Sequence, residues 1–288
     1  MFSAHMEVLL PHRDSLGEGP VWSVADQRLY WVDIVGREVQ RVALDGSEHQ
    51  VWATPEKVGS AVPARDGSMI LALRNGLGRL DLQSGQVESV LTLEEDKPGQ
   101  RFNDGKCDPQ GRFWFGSMHD LETDPVGALY RYDATDSCTQ MLTGITTSNG
   151  LGWSPDGATF YYTDSIARQI SAFDFREDGS ISDRRVFAQD PGHYVPDGLT
   201  VDAEGFVWSA KWDGGQLVRY APDGRVDRVV AMPVRRPTSC AFAGVNLGTL
   251  VVTSAAWGLS ELSPDGLDGA VFLLDVGVSG LPSTDFAG

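Results

Sequence analysis

A chain of 288 residues with 41% hydrophobic and 22% charged residues has an ordinary globular composition, long enough to bury a large core. Its formal net charge of −17 gains nothing from counterion release on a phosphate backbone, so neither nucleic acid nor an anionic membrane surface is an expected partner. No apolar run approaches the roughly 18 residues of a bilayer span, residues 1–10 show no signal-peptide pattern, and the expected location is the cytoplasm.

Cys107, Cys138 and Cys240 are odd in number and scattered, which fits free thiols in a reducing compartment rather than a disulfide framework or a zinc cluster. The 33 glycines and 15 prolines suit a turn-rich all-β chain.

In chain order, one pattern recurs six times: a polar turn, then aromatic and β-branched residues. Asp26-Gln27-Arg28 precedes Leu29-Tyr30-Trp31-Val32, and Asp66-Gly67-Ser68 precedes Met69-Ile70-Leu71. Gln110-Gly111-Arg112 precedes Phe113-Trp114-Phe115, and Asp156-Gly157 leads to Phe160-Tyr161-Tyr162. Glu204-Gly205 precedes Phe206-Val207-Trp208, and Asn246-Leu247-Gly248 leads to Leu250-Val251-Val252. Anchors at 27, 67, 111, 157, 205 and 248 step by 40, 44, 46, 48 and 43 residues, the period of propeller blades. An alternating strand follows each anchor, as in Ala128-Leu129-Tyr130-Arg131-Tyr132, and Asp-Gly pairs such as 45–46 and 223–224 supply hairpin turns.

No window carries a helical apolar stripe. The chain therefore reads as one all-β domain over residues 1–288, a six-bladed β-propeller with four-stranded antiparallel blades around a central channel. The sixth repeat runs out near Val276, and Met6 to Leu10 are expected to supply its missing outer strand.

Innermost strands are expected to begin near 18, 59, 104, 149, 197 and 238. Glu18, Asp104, Asn149 and Asp197 then fall 7 to 9 residues before their turn anchors, each followed by glycine. Equivalent points in a closed ring converge, so these residues crowd one channel mouth. Glu18, Asn149 and Asp197 give an oxygen-only set suited to a hard divalent cation; softness favours Mg²⁺, Ca²⁺ or Mn²⁺, with Zn²⁺ and Fe²⁺ left open.

Arg101-Phe102-Asn103-Asp104-Gly105-Lys106 is expected as a loop at that mouth, with donors for a polyol or lactone. Met118-His119-Asp120 and Glu122 begin a later loop that could reach it, and His193 and Tyr194 precede Asp197. Neither a nucleophile elbow nor a phosphate loop is present.

Leu16-Gly17-Glu18-Gly19-Pro20-Val21-Trp22, the Arg101–Lys106 segment, Ser148-Asn149-Gly150-Leu151 and Pro196-Asp197-Gly198-Leu199 resemble, in order and spacing, the gluconolactonase/regucalcin (senescence marker protein) family. Gly116-Ser117-Met118-His119-Asp120 looks most like its bacterial sugar aldonolactonases. The resemblance implies a metal-dependent hydrolase turning a sugar lactone into its aldonic acid. One divalent ion would sit on Glu18, Asn149 and Asp197. Arg101 and Asn103 would bind substrate, as would Glu122 or His119, and Asp197 would double as general base. The family's regucalcin branch carries a substrate-contacting Glu after the Met, where the count here falls on Leu121, with Glu122 one position further. The expected partner is a small sugar lactone, and the expected state a monomer or weak homo-oligomer. The rival readings are a broader esterase or lactonase and a non-catalytic propeller that binds calcium or a protein.

Overall fold

The computed structural model describes residues 5–10, 13–190 and 192–288. Among them no helix occurs, and 24 strands form six four-stranded antiparallel sheets.

The first blade holds β2 (Gly17–Ser23), β3 (Arg28–Asp33), β4 (Glu38–Val42) and β5 (Gln50–Ala53). The second holds β6 (Val58–Pro63), β7 (Met69–Leu73), β8 (Gly76–Leu80) and β9 (Val87–Thr92). The third holds β10 (Gln100–Cys107), β11 (Phe113–His119), β12 (Gly127–Tyr132) and β13 (Cys138–Ile145). The fourth holds β14 (Ser148–Trp153), β15 (Thr159–Asp164), β16 (Gln169–Phe175) and β17 (Ile181–Gln189). The fifth holds β18 (Val195–Val201), β19 (Val207–Trp212), β20 (Gln216–Tyr220) and β21 (Val226–Ala231). The sixth holds β22 (Pro237–Ala243), β23 (Thr249–Ser254) and β24 (Val271–Asp275).

The last blade is completed by β1 (His5–Leu10), which pairs antiparallel with β24 through His5↔Asp275 and Met6↔Leu274. The expected closure by the N-terminal strand is therefore what the structure shows. The inner strands β2, β6, β10, β14, β18 and β22 each contact both neighbours, so the ring is complete. The result is the six-bladed β-propeller that the repeat predicts.

Blade faces are apolar because no blade can bury both its sides alone. Trp31, Trp114 and Trp208 lie on the second strands of the first, third and fifth blades with no exposed surface. Each indole N–H donates to a buried aspartate: Trp31 to Asp14 at 2.7 Å, Trp114 to Asp108 at 2.9 Å and Trp208 to Asp202 at 2.9 Å. These bonds satisfy a polar atom that the surrounding core could not.

The C-terminal segment crosses the end of the channel where the inner strands finish. Ser279 O accepts from Ala203 N, Phe286 N donates to Pro63 O and Ala287 N donates to Gly111 O. Phe286 is buried and stacks on Tyr132. This strap ties the fifth, second and third blades together.

Every inner strand carries a register shift near its start. The shifts lie between Glu18 and Val21, Val58 and Ser60, Phe102 and Gly105, Asn149 and Leu151, Pro196 and Leu199, and Pro237 and Ser239. A bulge takes a residue out of the ladder and re-aims its side chain. Six bulges at one repeat position thus place Glu18, Asp104, Asn149 and Asp197 together.

Candidate active site

Glu18, Asn149 and Asp197 are each 4–5% exposed. Glu18 and Asp197 are within hydrogen-bonding reach of each other, and Asp197 is within reach of Asn149. Glu18 Oε2 accepts from Gly19 N at 2.9 Å, and Asn149 Nδ2 donates to Ser165 Oγ at 3.1 Å. The structure thus brings together the three expected metal ligands. The glycine after Asn149 is what lets the blades approach: a Cβ on Gly150 would stand 2.7 Å from Asp197 O and 2.7 Å from Leu199 N.

Burial and the charge of Asp104 push the Glu18 carboxyl up to about 8. Asp197 is also held well above the usual carboxylate range, by burial first and then by Glu18, Asp104 and Glu122. Asp104 moves the same way through burial, opposed by the Lys106 ammonium. Three buried acids this close resist ionising together unless a cation compensates them.

Two oxygens in the cluster, Asn149 Oδ1 and Asp197 Oδ1, are buried and without a hydrogen-bond partner among the described residues. A hard divalent ion is the group that would use both, so the residues present fit one. Among the described residues no three His, Cys, Asp or Glu side chains form a metal-sized group, and the expected set here includes an amide, Asn149.

Arg101 and Asn103 lie within β10, in the strand itself and not in a loop ahead of it as the sequence suggests. The ladder continues through Arg101↔Met118, and the bulge after Phe102 carries Asn103 and Asp104 toward the axis. Arg101 is 8% exposed. Its Nε donates to Asp120 Oδ1 at 2.9 Å, and its Nη1 donates to Asn103 Oδ1 at 2.5 Å and to Phe102 O at 3.1 Å. Nη2 is the guanidinium nitrogen left without a partner among the described residues, hence the donor available to a ligand. Asn103 Nδ2 donates to Ser148 O at 2.8 Å, so its amide oxygen is occupied by Arg101 and one N–H remains.

The later loop divides. Glu122 is exposed at φ +54°, accepts from Thr147 Oγ1 at 3.3 Å, and acts electrostatically on both Asp197 and Arg101, so it stands at the mouth. His119 does not join it. His119 pairs with Gln100, next to Arg101, and alternation sends its side chain to the opposite face of the sheet. Its Nδ1 accepts from Leu121 N at 3.2 Å, and its ring lies against Gly99. His193 is exposed, and Tyr194 packs against Gly214.

Lys57, which sequence reasoning missed, donates to Asp120 Oδ1 at 3.0 Å from the turn ahead of β6. No motif marks it; a lone lysine in a turn becomes informative only once its blade is placed.

A cavity of about 690 Å³ occupies the other end of the channel, lined in part by Trp153, Phe175, Leu281 and Pro282. It reaches Asp104 but does not include Glu18, Asn149 or Asp197. Cavity size alone would therefore locate the site at the wrong end. The clustered buried carboxylates and, among the described residues, the oxygens and the guanidinium nitrogen without partners lie instead where the inner strands begin.

Six four-stranded blades closed into a ring, with buried acids and an arginine where the inner strands begin, define the class as a six-bladed β-propeller. Residues 16–256 match the model of the SMP-30/gluconolactonase/LRE-like region, and the chain belongs to that family. An L-arabinolactonase of Azospirillum brasilense is 38% identical over 98% of this chain and 95% of its own length. A 6-deoxy-6-sulfogluconolactonase of Pseudomonas putida is 37% identical over 95% of each chain. The crystal structure of a calcium-binding protein, regucalcin, from Agrobacterium tumefaciens superposes with a TM-score of 0.93 at 28% identity, over 100% of this chain and 99% of that one. The relatives named lactonases are carboxylic-ester hydrolases.

Proposed function

We propose that this chain is a metal-dependent lactonase that hydrolyses a sugar aldonolactone to its aldonic acid. The observation that carries the reading is the pair of unpartnered buried oxygens, Asn149 Oδ1 and Asp197 Oδ1, beside an arginine with Nη2 free. Glu18, Asn149 and Asp197 would hold one divalent ion. Bound there, such an ion supplies Lewis acidity toward a carbonyl and makes water more acidic.

The chain's own residues account for the rest. Asp197 takes a proton from the attacking water as that water bonds to the lactone carbonyl carbon. The bond from this carbon to the ring oxygen then breaks, and the ring oxygen leaves as a hydroxyl carrying the proton. Arg101 Nη2 and the spare N–H of Asn103 orient the substrate oxygens, and Glu122 offers an acceptor for a sugar hydroxyl at the rim. Burial excludes bulk water from Glu18 and Asp197, which strengthens each of these interactions.

The relatives' names make pentono- and hexonolactones the substrates to try first. The same oxygens also suit the rival reading of a non-catalytic calcium binder, in keeping with the regucalcin likeness. Arg101, with a donor free at the mouth, favours the enzyme.

We further propose that residues 1–288 act as one domain, in the cytoplasm, as a monomer or weak homo-oligomer, with neither nucleic acid nor a membrane as partner. The net charge of −17 and the free cysteines support this. The test is acid release from glucono-, arabinono-, xylono- and galactonolactones under several divalent metals. Asp197→Ala is expected to fold and to lose chelator-sensitive activity by at least a thousandfold, on the order of a lost general base and ligand. Full activity in that variant, or in the metal-stripped protein, refutes the mechanism.

A further inference from the structure

Asp120 stands where two cations meet. Its Oδ1 accepts from Arg101 Nε at 2.9 Å and from Lys57 Nζ at 3.0 Å. Lys57 belongs to the second blade and Asp120 follows β11 in the third, so the bridge spans two blades at the rim. Arg101 and Lys57 with Asp120 carry a net formal charge of +1. Glu122 and Glu18 lie near enough to act on Arg101 at longer range.

Lactone hydrolysis changes the charge of what the site holds. A neutral ester enters, and a carboxylate forms in a cleft lined by an arginine that is 8% exposed. In so poorly solvated a place an uncompensated cation holds an anion tightly, which slows product release.

We propose that Asp120 is a positioning and selectivity residue that offsets one of the two positive charges of Arg101 and Lys57, so that the mouth binds the neutral lactone and releases the aldonate anion more readily than it would without that carboxylate. The inference rests on the lactonase reading above. Asp120 fixes Arg101 through Nε and leaves Nη2 as the donor to substrate. Being charged itself, it also halves the positive charge that would retain the product.

The test uses the full chain and whichever of the four lactones it hydrolyses fastest, with the matching aldonate as inhibitor. Asp120→Asn keeps a side-chain oxygen of the same shape and removes the charge, raising the cluster to +2. Lys57→Met in that background returns it to +1. The ratio of aldonate Ki to lactone KM is expected to fall about tenfold in Asp120→Asn, on the scale of close charge pairs. Calorimetry should show the aldonate binding correspondingly tighter, and the double variant should come back to within threefold of the wild type. A residue that only braced the fold would move Ki and KM together and would not be rescued by losing Lys57. An unchanged ratio, or parallel changes without rescue, overturns the proposal while the lactonase reading stands. No turnover of any lactone by the wild type overturns both.

Discussion

Replacing Glu18 by Gln should stabilise the metal-free protein while destroying its response to cations. The Glu18 carboxyl is raised from 4.5 to about 8 by burial and by Asp104. The fold therefore prefers the neutral acid. Stability in chelator is fully present below about pH 4.5 and is lost as pH rises through about 8. Between these limits the folded state binds the extra proton, so the slope is negative. At pH 7 the linkage amounts to about 3 kcal/mol against the wild type, and at pH 5 to under about 1 kcal/mol. Gln keeps an oxygen to accept from Gly19 N and never ionises. For a chain of this size 1 kcal/mol corresponds to about 2 °C, so Glu18→Gln should melt about 6 °C above the wild type at pH 7 in chelator, with the two nearly equal at pH 5. A saturating divalent cation should reverse the order, because only the wild type offers the second carboxylate. Thermal scans at the two pH values, with chelator and then with Ca²⁺, Mg²⁺, Mn²⁺ or Zn²⁺, decide it. A variant that melts at or below the wild type in chelator at pH 7, or that gains as much from cation, refutes the reasoning.

Asp202→Ala should lower stability by about 3–5 kcal/mol, since it strips a buried carboxylate from Arg219, Trp208 Nε1 and two backbone N–H groups; a denaturant midpoint near that of the wild type would count against this. Deleting residues 1–10 removes β1 with the buried Leu9 and Leu10, at a cost of about 3–6 kcal/mol from those two side chains. An unchanged melting temperature would mean the sixth blade does not need β1. Gly150→Ala forces a Cβ against the backbone of Asp197 and Leu199 and should cost about 1–3 kcal/mol, with lactonase activity falling further than stability. Equal activity per folded molecule would show that the spacing of Asn149 and Asp197 is not critical.

The axis cluster was legible because each expected ligand is followed by glycine and sits at one repeat position, a pattern that is periodic in the sequence. Asp104 could be read the same way. His119 could not be separated from Glu122 by sequence, because the two differ in strand alternation and loop conformation: His119 ends β11 on the face away from Arg101, and Glu122 turns back at positive φ. The Arg101 segment looked like a loop because Asn103-Asp104-Gly105 is turn chemistry. In the structure that chemistry makes a bulge inside a strand, and pairing persists on both sides. The C-terminal strap left no periodic signal, since it pairs with several blades by only one or two backbone hydrogen bonds each.

By itself the sequence determined the six blades and the equivalence of Glu18, Asn149 and Asp197. Turn chemistry and strand alternation are local, and repetition carries them around a ring. Tertiary structure alone decided that, among the described residues, Asn149 Oδ1 and Asp197 Oδ1 have no partner and Arg101 keeps Nη2 free, and that Lys57 reaches across from another blade to Asp120. Those facts depend on six bulges turning side chains toward one axis and on how closely neighbouring blades approach, and neither is written in any single repeat.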